Sequence, residues 1–218
     1  MGGPYTDLAF PQTRFPCYLR NVAPSEKNPA QPGSPSVLLE GVRRRDPASL
    51  DAFFEQHFER VYSLVARLLG NRAAAEDAAQ EVFLKIHRAA HTIDPARDPG
   101  PWVATIAANV CRDIWRSSPY RMGRKSDSID DTPGLADRLK SGAANPEEDA
   151  LAAERARLVR EAVMELKDDY REVVVLRDYD GRSYEEIAAM AGANETAVRK
   201  RYSRALAELG RLLRKKGL

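Results

Sequence analysis

The sequence predicts an all-α protein built from two small helical domains joined by a flexible linker, with a helix-turn-helix in the C-terminal domain. Three observations support this fold class. Apolar residues recur at three-to-four spacing in two separate parts of the chain, which is the period of an α-helix. No segment alternates convincingly with the period of two that marks a strand. Between the helical parts, residues 117–146 contain prolines and glycines without sustained periodicity, and about thirty such residues are too many for a routine loop within one domain.

The composition is that of an ordinary globular protein. Apolar residues make up 43% of the 218 residues and charged residues 30%. No stretch approaches the roughly 20 apolar residues of a membrane span, and the N-terminus lacks the basic and apolar segments of a secretion signal. Cys17 and Cys111 lie far apart in unlike surroundings, which fits a reducing compartment. We therefore expect a cytoplasmic protein without membrane insertion.

Proline and charge are distributed unevenly. Residues 1–35 hold seven prolines and no helical period, which predicts a largely disordered tail; the alternative is a start codon assigned too far upstream. Residues 126–149 contain seven acidic and two basic residues, so the linker is acidic. Residues 196–218 contain eight basic residues and one acidic residue. This basic end predicts an anionic partner for the C-terminal domain.

Residues 36–116 form the predicted N-terminal domain. Its first long helix begins at the Asp46-Pro47 cap and ends at Gly70-Asn71. A second helix is predicted over about 72–90 and a third over 102–115. The positions expected to face the core are Phe54, Phe58, Val61, Tyr62, Val65, Leu68, Leu69, Ala75, Ala79, Val82, Phe83, Ile86, Val103, Ile106, Val110 and Ile114.

Residues 147–218 form the predicted C-terminal domain. A cap, a proline and acidic residues near Pro146 start a helix, and a shorter helix over 169–179 stops at Asp180-Gly181. The positions expected to face the core are Leu151, Leu158, Val159, Ala162, Val163, Leu166, Val173, Val174 and Leu176.

Two further helices form the predicted helix-turn-helix. Ser183 and Glu186 have the S-x-x-E spacing of a capping box, and Gly192 supplies the left-handed residue that ends the first helix. Asn194 or Thr196 caps the second helix. One face of this second helix carries the apolar residues Val198, Tyr202, Ala205, Leu209 and Leu212.

The second helix also carries four cations within six residues. In a helix-turn-helix the first helix braces the second, whose N-terminal residues enter the major groove of DNA. There, cations meet phosphates, and arginine can hydrogen-bond guanine in bidentate fashion. A solvated basic face on an ordinary helical hairpin is the alternative, but the capping box and the placed glycine favour DNA binding. The candidate cations are Arg199, Lys200, Arg201 and Arg204.

The second helix of the N-terminal domain carries an acidic patch. Asp77, Gln80 and Glu81 stand at positions i, i+3 and i+4, opposite the core stripe. Because an acidic patch repels DNA, it fits a protein partner better, although simple solvation is the alternative.

The third helix combines an aromatic residue, an amide and two cations. Such side chains can hold unstacked bases and their backbone. The alternative for Trp102 is a core position. The candidates are Trp102, Asn109, Arg112 and Arg116.

Three stretches of the chain read AAAEDAAQEVFLKIHRA, PWVATIAANVCRDIWR and REVVVLRDYDGRSYEEIAAMAGANETAVRKRYSRAL. Together they resemble the bacterial RNA polymerase sigma factors of the small extracytoplasmic function (ECF) type. They are similar to the second and fourth conserved regions of that family, and the likeness covers about residues 36–116 and 147–213 in the family's order and spacing.

The resemblance implies a sigma factor that binds core RNA polymerase, directs it to −35/−10 promoters and promotes DNA melting. It implies that Asp77, Gln80 and Glu81 dock on the clamp helices of the largest polymerase subunit. Asn109 occupies the position where the family captures a flipped −10 base, and the −10 set is Trp102, Asn109, Arg112 and Arg116. The −35 set is Thr196, Arg199, Lys200, Arg201 and Arg204.

The resemblance also bears on the linker and on regulation. It implies that the acidic linker threads through the polymerase toward its active centre, although a passive tether is nearly as good an interpretation. It further implies an anti-sigma factor that clamps the two domains.

The chain departs from the family pattern at three places. Thr105 stands where the family often has arginine, and the arginine pair after the third helix is reduced to Arg116. The opening of the last helix reads Thr196-Ala197-Val198 rather than a small residue followed by Thr-Val. These departures leave the domains intact and bear on the promoter sequence.

No catalytic, cofactor or metal motif is evident. His87 and His91 have a spacing that can bind zinc, but no further ligands complete the set. Cys111 is most simply a core residue. We therefore expect no enzymatic activity, no cofactor and no metal.

Two other functions would fit parts of the sequence. A dimeric repressor or activator could use the same helix-turn-helix, with residues 36–116 as its sensing or dimerising domain. A helical adaptor could use its basic end to bind acidic proteins or membrane surfaces. A repressor would protect a palindrome without polymerase, whereas an adaptor would ignore both DNA and polymerase.

Overall fold

Helices account for all the regular structure in residues 35–117 and 146–218, the ranges that the computed structural model describes. This confirms the predicted all-α fold class. The predicted tail and linker lie outside these ranges except at their edges. The helices are α1 (Pro35–Arg43), α2 (Pro47–Leu69), α3 (Arg72–Ala89), α4 (Gly100–Arg116), α5 (Pro146–Glu165), α6 (Asp168–Val174), α7 (Tyr184–Ala191) and α8 (Glu195–Lys215). A 3₁₀ turn (Ala90–Thr92) follows α3, and a π-helical segment (Val175–Tyr179) continues α6.

Local sequence sets the helix ends in the first part of the chain. The Asp46 carboxylate accepts a hydrogen bond from the backbone N–H of Ser49, and Pro47 follows it as the first residue of α2. Gly70 ends α2 in the left-handed conformation, with φ at +69°. The Asn71 side chain then caps α3. The predicted boundaries at Asp46-Pro47 and Gly70-Asn71 are confirmed.

More of the circumference of α2 is enclosed than the sequence indicates. Helices α1, α3 and α4 all pack on it, so Leu50, Phe53 and Leu64 are buried although they are not among the positions predicted to face the core. Phe54 and Phe58, which were predicted to face the core, are half-buried and contact the Phe83 ring. The other predicted core positions that are half-buried rather than buried are Tyr62, Ile106, Ile114, Leu158 and Val159; Leu151 is exposed.

Residues 35–117, the N-terminal module, pack against residues 146–218, the C-terminal module. One buried side chain, Arg171 of α6, joins them. Its guanidinium donates to the carbonyl of Leu68 at the end of α2 (2.8 Å) and to those of Met164 (2.9 Å) and Leu166 (3.0 Å) at the end of α5. Helix C-termini leave carbonyls without intrahelical partners and favour cations. Arg171 thus caps one helix of each module.

Ionic contacts lie beside this junction. Arg60 of α2 pairs with Asp180 (2.9 Å), which also pairs with Arg182 (2.6 Å). Arg67 of α2 lies over the ring of Tyr179, 5.3 Å from its centroid. The two modules therefore share a polar interface as well as apolar packing.

Candidate nucleic-acid interface

The helix-turn-helix forms from α7 and α8 as predicted. The Ser183 hydroxyl accepts from the backbone N–H of Glu186 (3.0 Å), and the Glu186 carboxylate accepts from the backbone N–H of Ser183 (2.7 Å). Gly192 ends α7 in the left-handed conformation, with φ at +60°. Asn194, one of the two predicted caps, accepts from the backbone N–H of Ala197. These local bonds fix the start of α8 relative to its brace.

The N-terminal half of α8 presents cations to solvent. Val198 and Ala205 are buried on its inner face, whereas Lys200 and Arg204 are exposed and have no ion pair within the described residues. The Arg199 side chain is 60% exposed and pairs with Glu195. Arg201 is more enclosed and lies 3.7 Å from the Asp169 carboxylate. Thr196 is exposed on the first turn.

A second basic surface is a cleft between α3 and α4. It has a volume of about 530 Å³. From α4, Asn109, Arg112 and Arg116 line it together with Ile106 and Asp113. The structure thus brings together three of the four residues predicted to hold unstacked bases. Trp102 does not line the cleft; it is half-buried against the core near the start of α4.

Arg112 is held at the edge of this cleft by the other module. Two of its nitrogens donate to the Glu172 carboxylate of α6, at 2.9 and 2.6 Å. Its remaining nitrogen, Nη1, donates to the Asn109 side-chain oxygen at 2.5 Å. Both ends of the pair are largely enclosed, with 18% of the Arg112 side chain exposed and 9% of the Glu172 side chain. A charge-assisted bond of this kind orients Arg112 firmly.

The half of the cleft that α3 provides was not predicted from the sequence. Lys85 and Arg88 face Arg112 and Arg116 across it, so four cations surround Asn109. Asp113 moderates this charge, because it lies 3.1 Å from Lys85 and 3.8 Å from Arg116. The signal available in the sequence was a pair of basic residues in the last turns of the helix that carries the acidic patch.

The acidic patch lies nearer the start of α3. Asp77 and Gln80 are exposed, and 42% of the Glu81 side chain is exposed. Glu81 lies 4.0 Å from Arg88, which marks the boundary between the acidic patch and the basic cleft. A single helix therefore presents opposite charges to two different surroundings.

Three further features bear on other functions: the Cys111 thiol, possible metal ligands and the apolarity of the helices. Cys111 is fully buried, and this burial raises the pKa of its thiol. Within the described ranges, no three or more His, Cys, Asp or Glu side chains are grouped so that they could hold a metal ion. None of the described helices has the length and apolarity required to cross a membrane.

Comparison with known families matches both modules. Residues 53–118 match the model of Sigma-70 region 2, and residues 156–209 match that of Sigma-70, region 4. The matched segments contain the cleft and acidic patch in the first case and the helix-turn-helix in the second.

Curated relatives are similar over most of their length. The RNA polymerase sigma factor CarQ of Myxococcus xanthus is 35% identical over 174 residues, covering 78% of this chain and 94% of CarQ. The ECF RNA polymerase sigma factor BldN of Streptomyces coelicolor is 31% identical over 191 residues, covering 86% and 70% respectively. The ECF RNA polymerase sigma-E factor of Escherichia coli is 31% identical over 174 residues, covering 78% and 88%.

Two solved structures share the fold. CnrH, in complex with the cytosolic domain of CnrY, superposes with a TM-score of 0.55 at 25% identity, over 84% of this chain and 99% of CnrH. The sigma factor RpoE of Bartonella quintana, in complex with the anti-sigma factor NepR, gives a TM-score of 0.54 at 21% identity, over 75% of this chain and 96% of RpoE.

Proposed function

Because the chain belongs to the ECF family of RNA polymerase sigma factors, we propose that its modules divide promoter recognition between them. As a sigma factor it binds core RNA polymerase and directs it to promoters for transcription initiation. In the proposal, residues 36–116 act as region 2 on the polymerase and the −10 element, and residues 147–218 act as region 4 on the −35 element. The intervening acidic segment tethers them.

The acidic patch on α3 is the proposed docking site for core polymerase. Asp77 and Gln80 are exposed on one face, with Glu81 beside them, and none of the three contributes to the hydrophobic core. Their negative charge disfavours DNA there and suits a basic protein surface.

The cleft between α3 and α4 is the proposed site for the melted −10 strand. Asn109 is exposed in its wall, and an amide can hydrogen-bond the edge of a base that has left the stack. Lys85, Arg88 and Arg116 would meet the phosphates of the same strand. Capture in this cleft would offset the few kcal/mol needed to unstack a base.

The N-terminal half of α8 is the proposed reader of the −35 duplex. Lys200 and Arg204 are available for phosphates, and Arg199 is placed for a base edge. Thr196 lies one turn earlier on the same exposed side, and Arg201 stands at the margin of the buried stripe.

Regulation by an anti-sigma factor is part of the proposal. RpoE of Bartonella quintana was solved with the anti-sigma factor NepR, and the present chain shares its fold. We propose a protein inhibitor that covers the DNA-facing surfaces of both modules. The protein would act in the cytoplasm, where RNA polymerase works, and would have no catalytic activity of its own.

The proposed division of promoter recognition between the modules rests on one observation: each module has a basic surface, and the two surfaces differ in shape. The cleft is concave and holds an amide among cations, whereas α8 is a convex helix with exposed cations. A concave site suits a flipped base, and a convex helix suits the major groove.

The test is reconstitution with core RNA polymerase, followed by run-off transcription on a genomic promoter library. We expect co-elution with core enzyme and transcripts from a discrete promoter set. Footprinting of an inverted repeat by the protein alone, without association with core enzyme, would instead support a dimeric repressor.

Two variants separate the proposed sites. Asn109→Ala should leave closed-complex binding intact and slow opening about 10- to 100-fold, which corresponds to a few kcal/mol of lost base capture. Joint replacement of Asp77 and Glu81 by alanine should weaken core binding. Glu59→Ala, which changes an exposed acid on α2, is the control and should affect neither step. An equal defect of the Asn109 variant in core binding would refute the assignment of the cleft.

A further inference from the structure

Tyr184, the first residue of α7, lies beside the cations of α8, the recognition helix of the helix-turn-helix. The Arg199 guanidinium carbon is 4.5 Å from the centroid of the Tyr184 ring, and that of Arg177 is 4.6 Å from it. Both distances fall within the roughly 6 Å over which a cation is attracted to an aromatic face. The capping box at Ser183 fixes the position of this tyrosine at the start of α7.

The ring is itself fixed by both helices of the motif. Tyr184 contacts Tyr202 of α8 edge-to-face, with ring centroids 5.6 Å apart. The Tyr202 hydroxyl donates to the Asp178 carboxylate at 2.8 Å. Burial and this carboxylate raise the pKa of Tyr202 to about 12. Tyr184 is therefore a rigid platform rather than a mobile surface ring.

Arg199 has a second anchor on its own helix. Its Nε and Nη2 both donate to one carboxylate oxygen of Glu195, at 2.9 and 2.5 Å. The end of the guanidinium defined by Nη1 and Nη2 has no further partner within the described residues. By contrast, Lys200 and Arg204 have no ion pair there. Among the exposed cations of this half of α8, Arg199 is the one held in a defined orientation.

We propose that Tyr184 is a positioning residue for promoter discrimination. It holds the Arg199 guanidinium so that its free end meets a base edge, most favourably the O6 and N7 acceptors of guanine, in the −35 duplex. This inference rests on the proposed role of α8. Pre-ordering a long side chain removes an entropic loss on binding, and the expected gain is about three- to tenfold in discrimination.

The experiment measures a specificity ratio with the holoenzyme. A promoter selected from the library by the wild-type protein is compared with derivatives that carry single −35 base-pair substitutions, and initiation rates are measured on each. Tyr184→Leu should lower the ratio about three- to tenfold at the most affected position, because the leucine side chain offers no aromatic face. Tyr184→Phe should preserve the ratio, because it keeps the ring and loses only the hydroxyl.

A double-mutant cycle distinguishes positioning from a general structural role. In an Arg199→Ala background, Tyr184→Leu should cause no further loss of discrimination, since the residue it orients is absent. A further loss of equal size in that background, or an unchanged ratio in Tyr184→Leu alone, would overturn the proposal. Thermal melts and core binding verify that the leucine variant folds, and Tyr184→Met replaces it if it does not.

The same cycle separates this inference from the proposed function. If Arg199→Ala leaves every ratio unchanged, the assignment of α8 as the −35 reader fails and the positioning role fails with it. If Arg199→Ala lowers the ratio while Tyr184→Leu does not, only the positioning role is overturned.

Discussion

The two basic surfaces differ in how their arginines are held. In the cleft, Arg112 is bound by Glu172, which belongs to the other module, and only 18% of its side chain is exposed. On α8, Arg199 is bound by Glu195 and Tyr184 from its own module, and 60% of its side chain is exposed. The state of the cleft therefore depends on the packing between modules, whereas the recognition helix is complete within its module.

This difference has a consequence for ligand binding. If a strand binds in the cleft as proposed, it competes with Glu172 for Arg112, and binding there would then oppose module packing. On α8 the situation differs, because none of the described ion pairs joins the cations of its N-terminal half to the N-terminal module. A duplex that binds these cations would not compete with module packing. Variants at the junction should therefore affect the cleft first.

The largest expected effect is on the junction itself. Arg171→Met should destabilise the protein by about 3–5 kcal/mol, because it removes the donor from buried carbonyls at the ends of α2 and α5. Urea unfolding measures this loss. Both tryptophans of the protein, Trp102 and Trp115, lie in α4, so their fluorescence reports on the N-terminal module while far-UV circular dichroism reports on both.

The two probes sharpen the interpretation of that variant. If the junction couples the modules, the urea unfolding transitions seen by fluorescence and by circular dichroism should coincide in the wild type. In Arg171→Met they should occur at different urea concentrations. Arg155→Met, which makes the same replacement at an exposed position of α5, serves as the control. A loss below about 1 kcal/mol in Arg171→Met would be a surface-type effect and would contradict the bridging role.

The next effect concerns the recognition helix. Arg199→Ala should lose about 1–3 kcal/mol of discrimination at one −35 position, measured as the ratio of initiation rates on matched and substituted promoters. Arg211→Ala is the matched control. The Arg211 side chain is also 60% exposed and also pairs with a glutamate of α8, but it lies in the other half of the helix. Equal effects of the two substitutions would show that charge alone, and not position, explains the contribution of Arg199.

A smaller effect is expected when Arg112 is freed from its ion pair with Glu172. Glu172→Gln removes the negative charge that binds Arg112, and should raise the affinity of the free protein for a single-stranded −10 oligonucleotide about fivefold, or about 1 kcal/mol. Fluorescence anisotropy measures this affinity. Asp113→Asn is the control, because it removes a charge from the cleft wall without releasing Arg112. If both variants gain equally, the effect is general electrostatics; the specific gain should vanish in an Arg112→Ala background.

Local features of the fold were predictable from the sequence. The Asp46 cap, the capping box at Ser183 and Glu186, and the left-handed Gly70 and Gly192 all follow from bonds between residues a few positions apart. Such bonds are visible in spacing, because their geometry is set by the helix itself. The same holds for the cations of α8, which share one short stretch of chain.

Contacts between distant residues could not be predicted in this way. Arg171 lies in a charged stretch just before the apolar run over 173–176, yet it is buried because two helix ends from different modules converge on it. The pairing of Glu172 with Arg112 joins residues sixty positions apart. The aromatic contact of Tyr184 with Arg199 depends on the angle of the turn between α7 and α8. Periodicity gives the face of a helix, but not what packs against it.

The smallest predicted effect is a pH dependence confined to the helix-turn-helix. The backbone N–H of Ser183 and the nearby Arg182 lower the pKa of Glu186 below its usual value of 4.5. A carboxyl whose pKa is lower in the folded state contributes stability above its unfolded pKa, and this stability is lost as the pH falls through the folded pKa. Acidification from pH 7 to below about 4.5 should therefore destabilise the wild type more than Glu186→Gln.

The glutamine amide in this variant cannot titrate, although it can still accept the hydrogen bond from the backbone N–H of Ser183. Urea unfolding followed by circular dichroism at each pH measures the difference, and Glu185→Gln, an exposed neighbour on the same turn, is the control. Identical acid profiles for the Glu186 variant and the wild type would mean that the capping carboxylate contributes nothing through its charge.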